Sequence, residues 1–188
     1  PTNDRRQRQM CIRDSSKPDK TKFSLVRYGN VMGSRGSIIP YFLSLKEKNV
    51  FPVTDENMTR FMISLEQGIE LVLHAFKDMV GGEIYVKKIP SMNILEIVRA
   101  ISKKAKIDII GIRPGEKLHE QMIGLEDASF TYEYEDYFKI LPSIHNWSED
   151  PGRIGEGKLV PKDFKYSSDT NKQWMTSEEL QMFIKKNL

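Results

Sequence analysis

The sequence of 188 residues is long enough for one domain with a real core, or for part of a larger two-lobed enzyme. Its hydrophobic fraction of 39% and charged fraction of 29% are typical of a soluble globular protein. No run approaches the roughly 18 consecutive apolar residues that a membrane-spanning helix requires, so we predict no membrane partner.

The net charge of +3 does not indicate a nucleic-acid-binding surface. Residues 1–22 hold seven Lys or Arg and three Asp, so the rest of the chain carries a net charge of minus one. Because binding to a phosphate backbone needs a basic excess on the folded part, we predict no nucleic-acid partner.

The start of the chain differs in amino-acid composition from the rest. Residues 1–14 lack the apolar core of a signal peptide, and RQRQMCIRDS resembles translated sequencing-adapter sequence, so we expect a non-native leader there. Cys11 is the only cysteine, which excludes an intrachain disulfide and a thiolate metal cage. These features fit a cytoplasmic protein.

From residue 22 onward, apolar periodicity and capping residues predict alternating strands and helices. In chain order we predict a strand at 23–26, a helix at 38–45, a helix from Ser64 to residue 80, a strand at 83–86, a helix from Pro90-Ser91 to Ile101, a strand at 106–112, a short helix at 116–122, an extended segment at 130–140, an irregular connection at 147–165, and a final helix capped by Thr176 and Glu179. This alternation indicates an α/β fold.

The segment RYGNVMGSRGS, residues 27–37, contains three glycines after a predicted strand. Glycine allows the backbone to approach a ligand closely and to adopt positive φ, and successive N–H groups in such a loop can hold an anion. The spacing matches neither the dinucleotide-binding fingerprint nor a Walker loop. The residues alone leave a tight structural turn and a ligand-binding loop equally open.

Two further segments could carry binding chemistry. In IRPGEKLHE, the guanidinium of Arg113 can clamp a diphosphate and the carboxylate of Glu116 can accept hydrogen bonds from ribose hydroxyls. The alternative is a solvated helix start in which Glu116 favours the helix dipole. The turn-rich residues 52–61 could line a pocket or simply precede a helix. The three histidines have no metal-ligand spacing, and we predict no metal site.

Taken together and in this order, RYGNVMGSRGSIIP, TDENMTRF, GGEIYVKKIPSM and IRPGEKLHEQMI resemble the inverting UDP-N-acetylglucosamine 4,6-dehydratases. This family belongs to the extended short-chain dehydrogenase/reductases and serves pseudaminic acid, flagellin-glycan and capsule synthesis. The resemblance implies the C-terminal part of such an enzyme, with an incomplete Rossmann-type sheet and a small substrate-binding lobe. Residues 15–50 would end the nucleotide-binding domain, 51–145 would form mainly the substrate-binding lobe with elements returning to the sheet, and 146–188 would be a C-terminal extension.

The resemblance also assigns site residues. Asn30 and Ile38 would bind UDP-N-acetylglucosamine, together with Thr54. Arg113 would lie on the diphosphate side and Glu116 at the uridine ribose. The NADP site near the nicotinamide would be lined by Val31, Met32, Gly33, Ser34 and Arg35.

The family reaction is an internal redox elimination. Hydride passes from C4 of the sugar to NADP, water leaves across C5 and C6, and hydride returns to C6 with inversion at C5. The resemblance implies a Tyr-x-x-x-Lys pair and an Asp-Lys pair as catalytic groups. None of the seven tyrosines has a lysine four residues later, and Asp19-Lys20 lies too close to Asn30 to fit. We therefore assign no catalytic residue, expect the chain alone to be inactive, and expect the intact enzyme to be a homo-oligomer.

Two alternatives remain. A UDP-N-acetylglucosamine 4- or 5-epimerase of the same superfamily would share the YGNV and SRGS elements, although IRPGEKLHE and the YSSD tail favour the dehydratase. A non-catalytic UDP-sugar-binding module would fold alone and bind UDP sugars.

Overall fold

The computed structural model describes residues 21–143 and 146–188. The predicted leader 1–14, Cys11, Asp19-Lys20 and His145 lie outside the described residues. The described residues fall into two compact units. The first contains residues 21–28, 66–88, 122–143 and 146–165, and the second contains residues 29–65, 89–121 and 166–188.

Pairs of consecutive strands alternate with α-helices along the described chain. In order they are β1 (Leu25–Arg27), β2 (Asn30–Val31), α1 (Ile38–Ser44), β3 (Val50–Val53), β4 (Thr59–Ile63), α2 (Leu65–Asp78), β5 (Ile84–Lys87), β6 (Ser91–Asn93), α3 (Ile94–Ile101), β7 (Lys106–Ile109), β8 (Gln121–Ile123), α4 (Leu125–Ala128), β9 (Thr131–Glu133), β10 (Tyr137–Ile140), α5 (Pro151–Ile154), β11 (Lys158–Leu159), β12 (Tyr166–Ser167) and α6 (Ser177–Asn187). A 3₁₀ turn at Trp147–Glu149 precedes α5.

The first unit is built on a five-stranded sheet in the order β1-β5-β10-β9-β11. β1 pairs with β5 in parallel, and the remaining pairs are antiparallel. Helix α2 covers this sheet by packing Leu71 and Ala75 on Tyr85, with Val26 of β1 and Tyr137 of β10 beside them. Burial of apolar side chains between a helix and a sheet is the main force that holds this unit together.

The second unit combines two small sheets with three helices. β2 pairs in parallel with β4, which pairs antiparallel with β6. β3 and β7 form a separate parallel pair. One apolar core joins these elements, and its buried members include Ile39, Phe42, Phe51, Val53, Met58, Met62, Met92, Ile97, Val98 and Leu180.

Several predicted elements are confirmed. The helix predicted at 38–45 is α1, and the final helix α6 has its capping box, with the Thr176 hydroxyl accepting from the Glu179 N–H and the Glu179 carboxylate accepting from the Thr176 N–H. The extended segment predicted at 130–140 is the hairpin of β9 and β10. The connection predicted at 147–165 contains short α5 and β11 rather than being wholly irregular.

The helix predicted at 116–122 is wrong. Its last residues form strand β8, and the preceding residues lie alongside β4, where the Thr59 N–H donates to the Leu118 carbonyl oxygen and the Phe61 N–H donates to the Glu120 carboxylate. These bonds to a neighbouring strand replace the hydrogen bonds within a helix. Tertiary pairing thus overrides local propensity here.

Two predicted boundaries also shift. The helix predicted from Pro90-Ser91 begins only at Ile94, because Ser91–Asn93 pairs with β4 and the Asn93 side chain then caps the helix by accepting from the Leu95 N–H. The strand predicted at 106–112 ends at Ile109. No helix in residues 21–143 and 146–188 is long and apolar enough to cross a bilayer.

Candidate functional site

Gly29 allows β2 to approach β4 closely. A Cβ atom at position 29 would lie 2.4 Å from the Cβ of Phe61 and 2.6 Å from its carbonyl oxygen, which is closer than van der Waals contact permits. With glycine there, Asn30 and Val31 pair with Met62 and Ile63. The glycine therefore places Asn30 beside β4.

The side-chain amide of Asn30 is held by two acceptors. Its Nδ2 donates to Oε1 of Glu120 at 3.0 Å and to the carbonyl oxygen of Phe61 at 3.4 Å. The backbone N–H of Phe61 donates to the other oxygen of Glu120, Oε2, at 3.0 Å. Glu120 therefore ties the Asn30 side chain to the backbone of β4.

Arg60 lies between two carboxylates. Its Nε is 3.8 Å from Oε1 of Glu120, and its Nη2 is 3.9 Å from Oε1 of Glu116. The same Glu116 oxygen accepts a hydrogen bond from Oγ1 of Thr54 at 3.2 Å. We call Asn30, Thr54, Arg60, Glu116 and Glu120 the polar network.

Additional hydrogen bonds among Thr59, His119, Ser168 and the Glu120 backbone support this network. The buried Thr59 hydroxyl lies 2.8 Å from Nδ1 of His119 and 2.7 Å from the buried Ser168 hydroxyl. The Glu120 N–H donates to the Ser168 hydroxyl at 2.9 Å, and the Ser168 N–H donates to the Glu120 carbonyl oxygen at 2.8 Å. The backbone of Glu120 is thereby fixed, which limits the positions that its carboxylate can reach.

The predicted cofactor-binding residues lie on the turn that follows β2. The Met32 side chain is buried in the core, whereas Ser34 and Arg35 are exposed. Gly33 adopts a φ of +78° and Gly36 a φ of +75°, conformations that L side chains rarely adopt. This turn can offer a ligand its backbone and the side chains of Ser34 and Arg35.

Two residues of the next turn also lie in this region. The Ser37 hydroxyl is buried and finds no hydrogen-bond partner among the described residues. Ile38 starts α1 and is partly buried against the core of the second unit.

Arg113 lies on an exposed loop, apart from the polar network. Its side chain makes no hydrogen bond or ion pair in the part of the chain that the structure describes. Only its backbone meets Glu116: the Glu116 N–H donates to the Arg113 carbonyl oxygen at 3.0 Å, and the Arg113 N–H lies 3.4 Å from Oε2 of Glu116. The structure brings Asn30, Thr54 and Glu116 together and leaves the Arg113 guanidinium in solvent.

Sequence patterns alone did not indicate that Arg60, His119, Glu120 or Ser168 belongs to the site. One signal was available for Arg60, a charged residue within a strand whose neighbours Phe61, Met62 and Ile63 are fully buried. A buried charge usually has a specific partner. Within residues 21–143 and 146–188, no three His, Cys, Asp or Glu residues are grouped as metal ligands would be.

Comparison with known proteins identifies the class. The family model described as "Polysaccharide biosynthesis protein" matches residues 5–142, and the chain therefore belongs to this family. Two curated relatives from Campylobacter jejuni, of serotypes O:23/36 and O:2, are both named UDP-N-acetylglucosamine 4,6-dehydratase (inverting). They are 48% and 47% identical to this chain over 168 residues, which is 86% of this chain and 50% of each relative.

Other matches are more distant. A UDP-glucose 4-epimerase of Rickettsia bellii is 39% identical over 127 residues, covering 65% of this chain and 37% of that enzyme. The solved structure of Pen from Bacillus thuringiensis superposes with a TM-score of 0.80 at 32% identity, over 95% of this chain and 55% of that chain. The chain thus spans about half the length of the Campylobacter relatives and of Pen, and less of the epimerase.

These comparisons confirm the family resemblance and the predicted fold class. The mixed α/β arrangement is that of Pen and is consistent with part of a Rossmann-like domain. Because a UDP-glucose 4-epimerase is also among the matches, epimerases are related to this chain as well.

Proposed function

We propose that this chain is the sugar-nucleotide-binding part of an NADP-dependent UDP-N-acetylglucosamine 4,6-dehydratase that inverts C5. The main support is the polar network. It joins Asn30, Thr54 and Glu116, although Asn30 and its partner Glu120 are 90 residues apart in sequence and Thr54 and Glu116 are 62 apart. The named activity of the two Campylobacter relatives supports the same substrate.

Each group has chemistry suited to its proposed role. Glu116 retains acceptor capacity beyond the bond from Thr54, as ribose hydroxyls would require. The exposed Arg113 guanidinium is free to form a bidentate pair with a diphosphate, within the described part of the chain. Ile38 would provide an apolar contact at the start of α1.

Residues 31–37 fit one side of an NADP site. The exposed Arg35 can pair with an anionic group. The buried Ser37 hydroxyl has no hydrogen-bond partner among the described residues, and a ligand could supply one. Gly36 adopts positive φ, and no atom lies within 4 Å of where its Cβ would stand, so a ligand could approach the backbone there. NADP bound there would accept and return the hydride of the elimination, and these residues would hold and orient it.

We further propose that the chain binds substrate without turning it over. The sequence contains no Tyr-x-x-x-Lys. In the intact enzyme, expected to be a cytoplasmic homo-oligomer, the product would be a UDP-4-keto-6-deoxy sugar for pseudaminic acid, flagellin-glycan or capsule synthesis.

Calorimetry with the 188-residue chain tests the binding role. We expect UDP-N-acetylglucosamine to bind and GDP-mannose not to bind. Glu116→Gln should weaken binding by roughly tenfold, because a hydrogen bond to a charged group contributes about 1.5 kcal/mol. Glu47→Gln, at an exposed carboxylate away from the network, should leave the affinity unchanged. Equal affinity for the two sugar nucleotides would contradict the proposal.

Mass spectrometry of the same mixtures with added NADP tests the lack of turnover. We expect the sugar nucleotide to keep its mass and its retention time. Loss of water would show that the chain is active by itself and would overturn that part of the proposal.

The epimerase alternative rests on the Rickettsia relatives at 38–39% identity. Incubating a whole protein that contains this sequence with UDP-N-acetylglucosamine would distinguish the two activities. A dehydratase removes water from the sugar, whereas an epimerase conserves its mass.

A further inference from the structure

Glu120 uses both carboxylate oxygens for protein contacts. Oε1 accepts from the Asn30 amide and lies near Nε of Arg60, and Oε2 accepts from the Phe61 N–H. Hydrogen bonds to Ser168 also fix the position of the Glu120 backbone. These contacts make Glu120 part of the scaffold around Asn30.

The contacts of Glu120 determine which end of the Asn30 amide can face outward. The two ends of an asparagine amide have nearly the same shape, and the hydrogen-bond network decides which one is the nitrogen. An ionised carboxylate is only an acceptor, so the atom that faces Glu120 must be the amide nitrogen. The same nitrogen lies 3.4 Å from the Phe61 carbonyl oxygen, which is also an acceptor. Two protein acceptors therefore face the Asn30 nitrogen, and its carbonyl oxygen is the end left for a ligand.

Arg60 makes this arrangement electrostatically stable. Glu116 and Glu120 are both near Arg60, and its positive charge offsets their mutual repulsion. Nη1 of Arg60 donates to the carbonyl oxygens of Thr59 at 2.7 Å and Leu118 at 3.0 Å. With its side chain only 13% exposed, Arg60 is a structural cation rather than one presented to a phosphate.

We propose that Glu120 is a positioning residue that makes Asn30 a hydrogen-bond acceptor for the ligand. On the proposed function, on which this inference rests, Asn30 then receives a hydrogen bond from a hydroxyl or an amide N–H of the sugar nucleotide. A phosphate oxygen, which accepts hydrogen bonds, would have to displace one of the protein acceptors to bind the Asn30 nitrogen. Replacing the carboxylate by an amide removes this control, because a glutamine can either donate to Asn30 or accept from it.

A double-mutant cycle tests the positioning role. We expect Asn30→Ala and Glu120→Gln each to raise the Kd for UDP-N-acetylglucosamine about tenfold, which is typical for loss of one ligand hydrogen bond. The double variant should bind no more weakly than Asn30→Ala, because Glu120 acts only through Asn30. Additive losses would overturn the proposal. Glu47→Gln serves as the matched control.

Hydrogen exchange of the Asn30 side chain, followed by NMR on the unmodified protein, provides a test that needs no variant. We expect its amide protons to be protected from exchange without ligand and to remain protected when UDP-N-acetylglucosamine is bound. Fast exchange in the free protein, or a new hydrogen bond from Nδ2 to a ligand phosphate, would contradict the proposal.

The two experiments separate this inference from the proposed function. If the unmodified chain binds no UDP sugar, the proposed function fails. The exchange measurement on the free protein then decides alone whether Glu120 holds the amide. If the chain binds UDP-N-acetylglucosamine but Glu120→Gln binds equally well and folds with the same urea midpoint, only the positioning role is overturned.

Discussion

A buried ion pair shows how single residues stabilise the first unit. Glu83 and Arg153 meet at 2.6 Å with side chains only 1% and 6% exposed. Glu83 also accepts from the Gly81 N–H, and Arg153 donates to the Gly81 carbonyl oxygen at 2.6 Å. The guanidinium lies 4.0 Å from the ring centre of Trp147. These contacts compensate two charges that would otherwise be costly to remove from water.

We predict that Glu83→Gln lowers the free energy of unfolding by about 3 kcal/mol, because it leaves the buried Arg153 charge with only the half-exposed Asp150 carboxylate, 3.5 Å from its Nε, as a counterion. Urea unfolding followed by circular dichroism measures this loss. Glu133→Gln is the matched control. It removes a carboxylate that pairs with Lys88 at a similar distance of 2.8 Å but is 52% exposed, so its cost should stay below about 1 kcal/mol. Similar losses in the two variants would contradict the prediction.

At the scale of the element, α2 carries more apolar surface than its own sheet covers. Leu71 and Ala75 are buried, but Ile69, Val72, Leu73 and Phe76 are 50%, 46%, 54% and 72% exposed. We call these four residues the apolar flank. Exposed contiguous apolar surface commonly marks an interaction site or promotes association.

We predict that the 188-residue chain self-associates through the apolar flank and that Phe76→Lys reduces this association. The charge makes burial of position 76 in an interface unfavourable. Sedimentation velocity over a range of concentrations measures the change. Met182→Lys, at a residue 63% exposed on α6, is the control and should leave the association unchanged. A concentration-independent monomer before any substitution would show that the flank does not drive self-association.

At the scale of the whole molecule, several carboxylates link stability to pH. Partial burial alone would raise the pKa of Asp78, but hydrogen bonds from Lys139 at 2.8 Å and Tyr85 at 2.7 Å outweigh it and lower the pKa. Hydrogen bonds also lower the pKa of Glu96, through Ser177, and of Asp169, through Ser167. These carboxylates occur in both units, so both should respond to acid.

A carboxylate whose pKa is lower in the folded state contributes stability above its unfolded pKa of about 4, and this contribution is lost as the pH falls through the folded value. We predict that the urea midpoint is flat near neutral pH and declines below about pH 4. Asp78→Asn should lower the midpoint at pH 7 and weaken its decline in acid. A decline of equal steepness in the variant would show that Asp78 contributes little to the linkage.

Whether a sequence-based prediction was correct depends on whether local or long-range interactions determine the conformation of the element. Elements defined by local signals, such as α1 and the capped α6, were predicted close to their observed limits. The region 116–122 was predicted as a helix because its local residues favour one, but hydrogen bonds to β4 determine its conformation. Likewise, the start of α3 is delayed by pairing of β6 with β4.

The sequence by itself determined the α/β class and the family, because periodicity, capping residues and long motifs occur along the chain. It also predicted three positions, Asn30, Thr54 and Glu116, that lie in the polar network. Only the tertiary structure revealed that Arg60 and Glu120 complete the polar network, since their partners lie on segments that are distant in sequence. It also showed that the Asn30 nitrogen faces Glu120 and Phe61 and that the apolar flank of α2 is exposed. Hydrogen-bond direction and burial depend on which segments meet in space, and a linear pattern does not specify this.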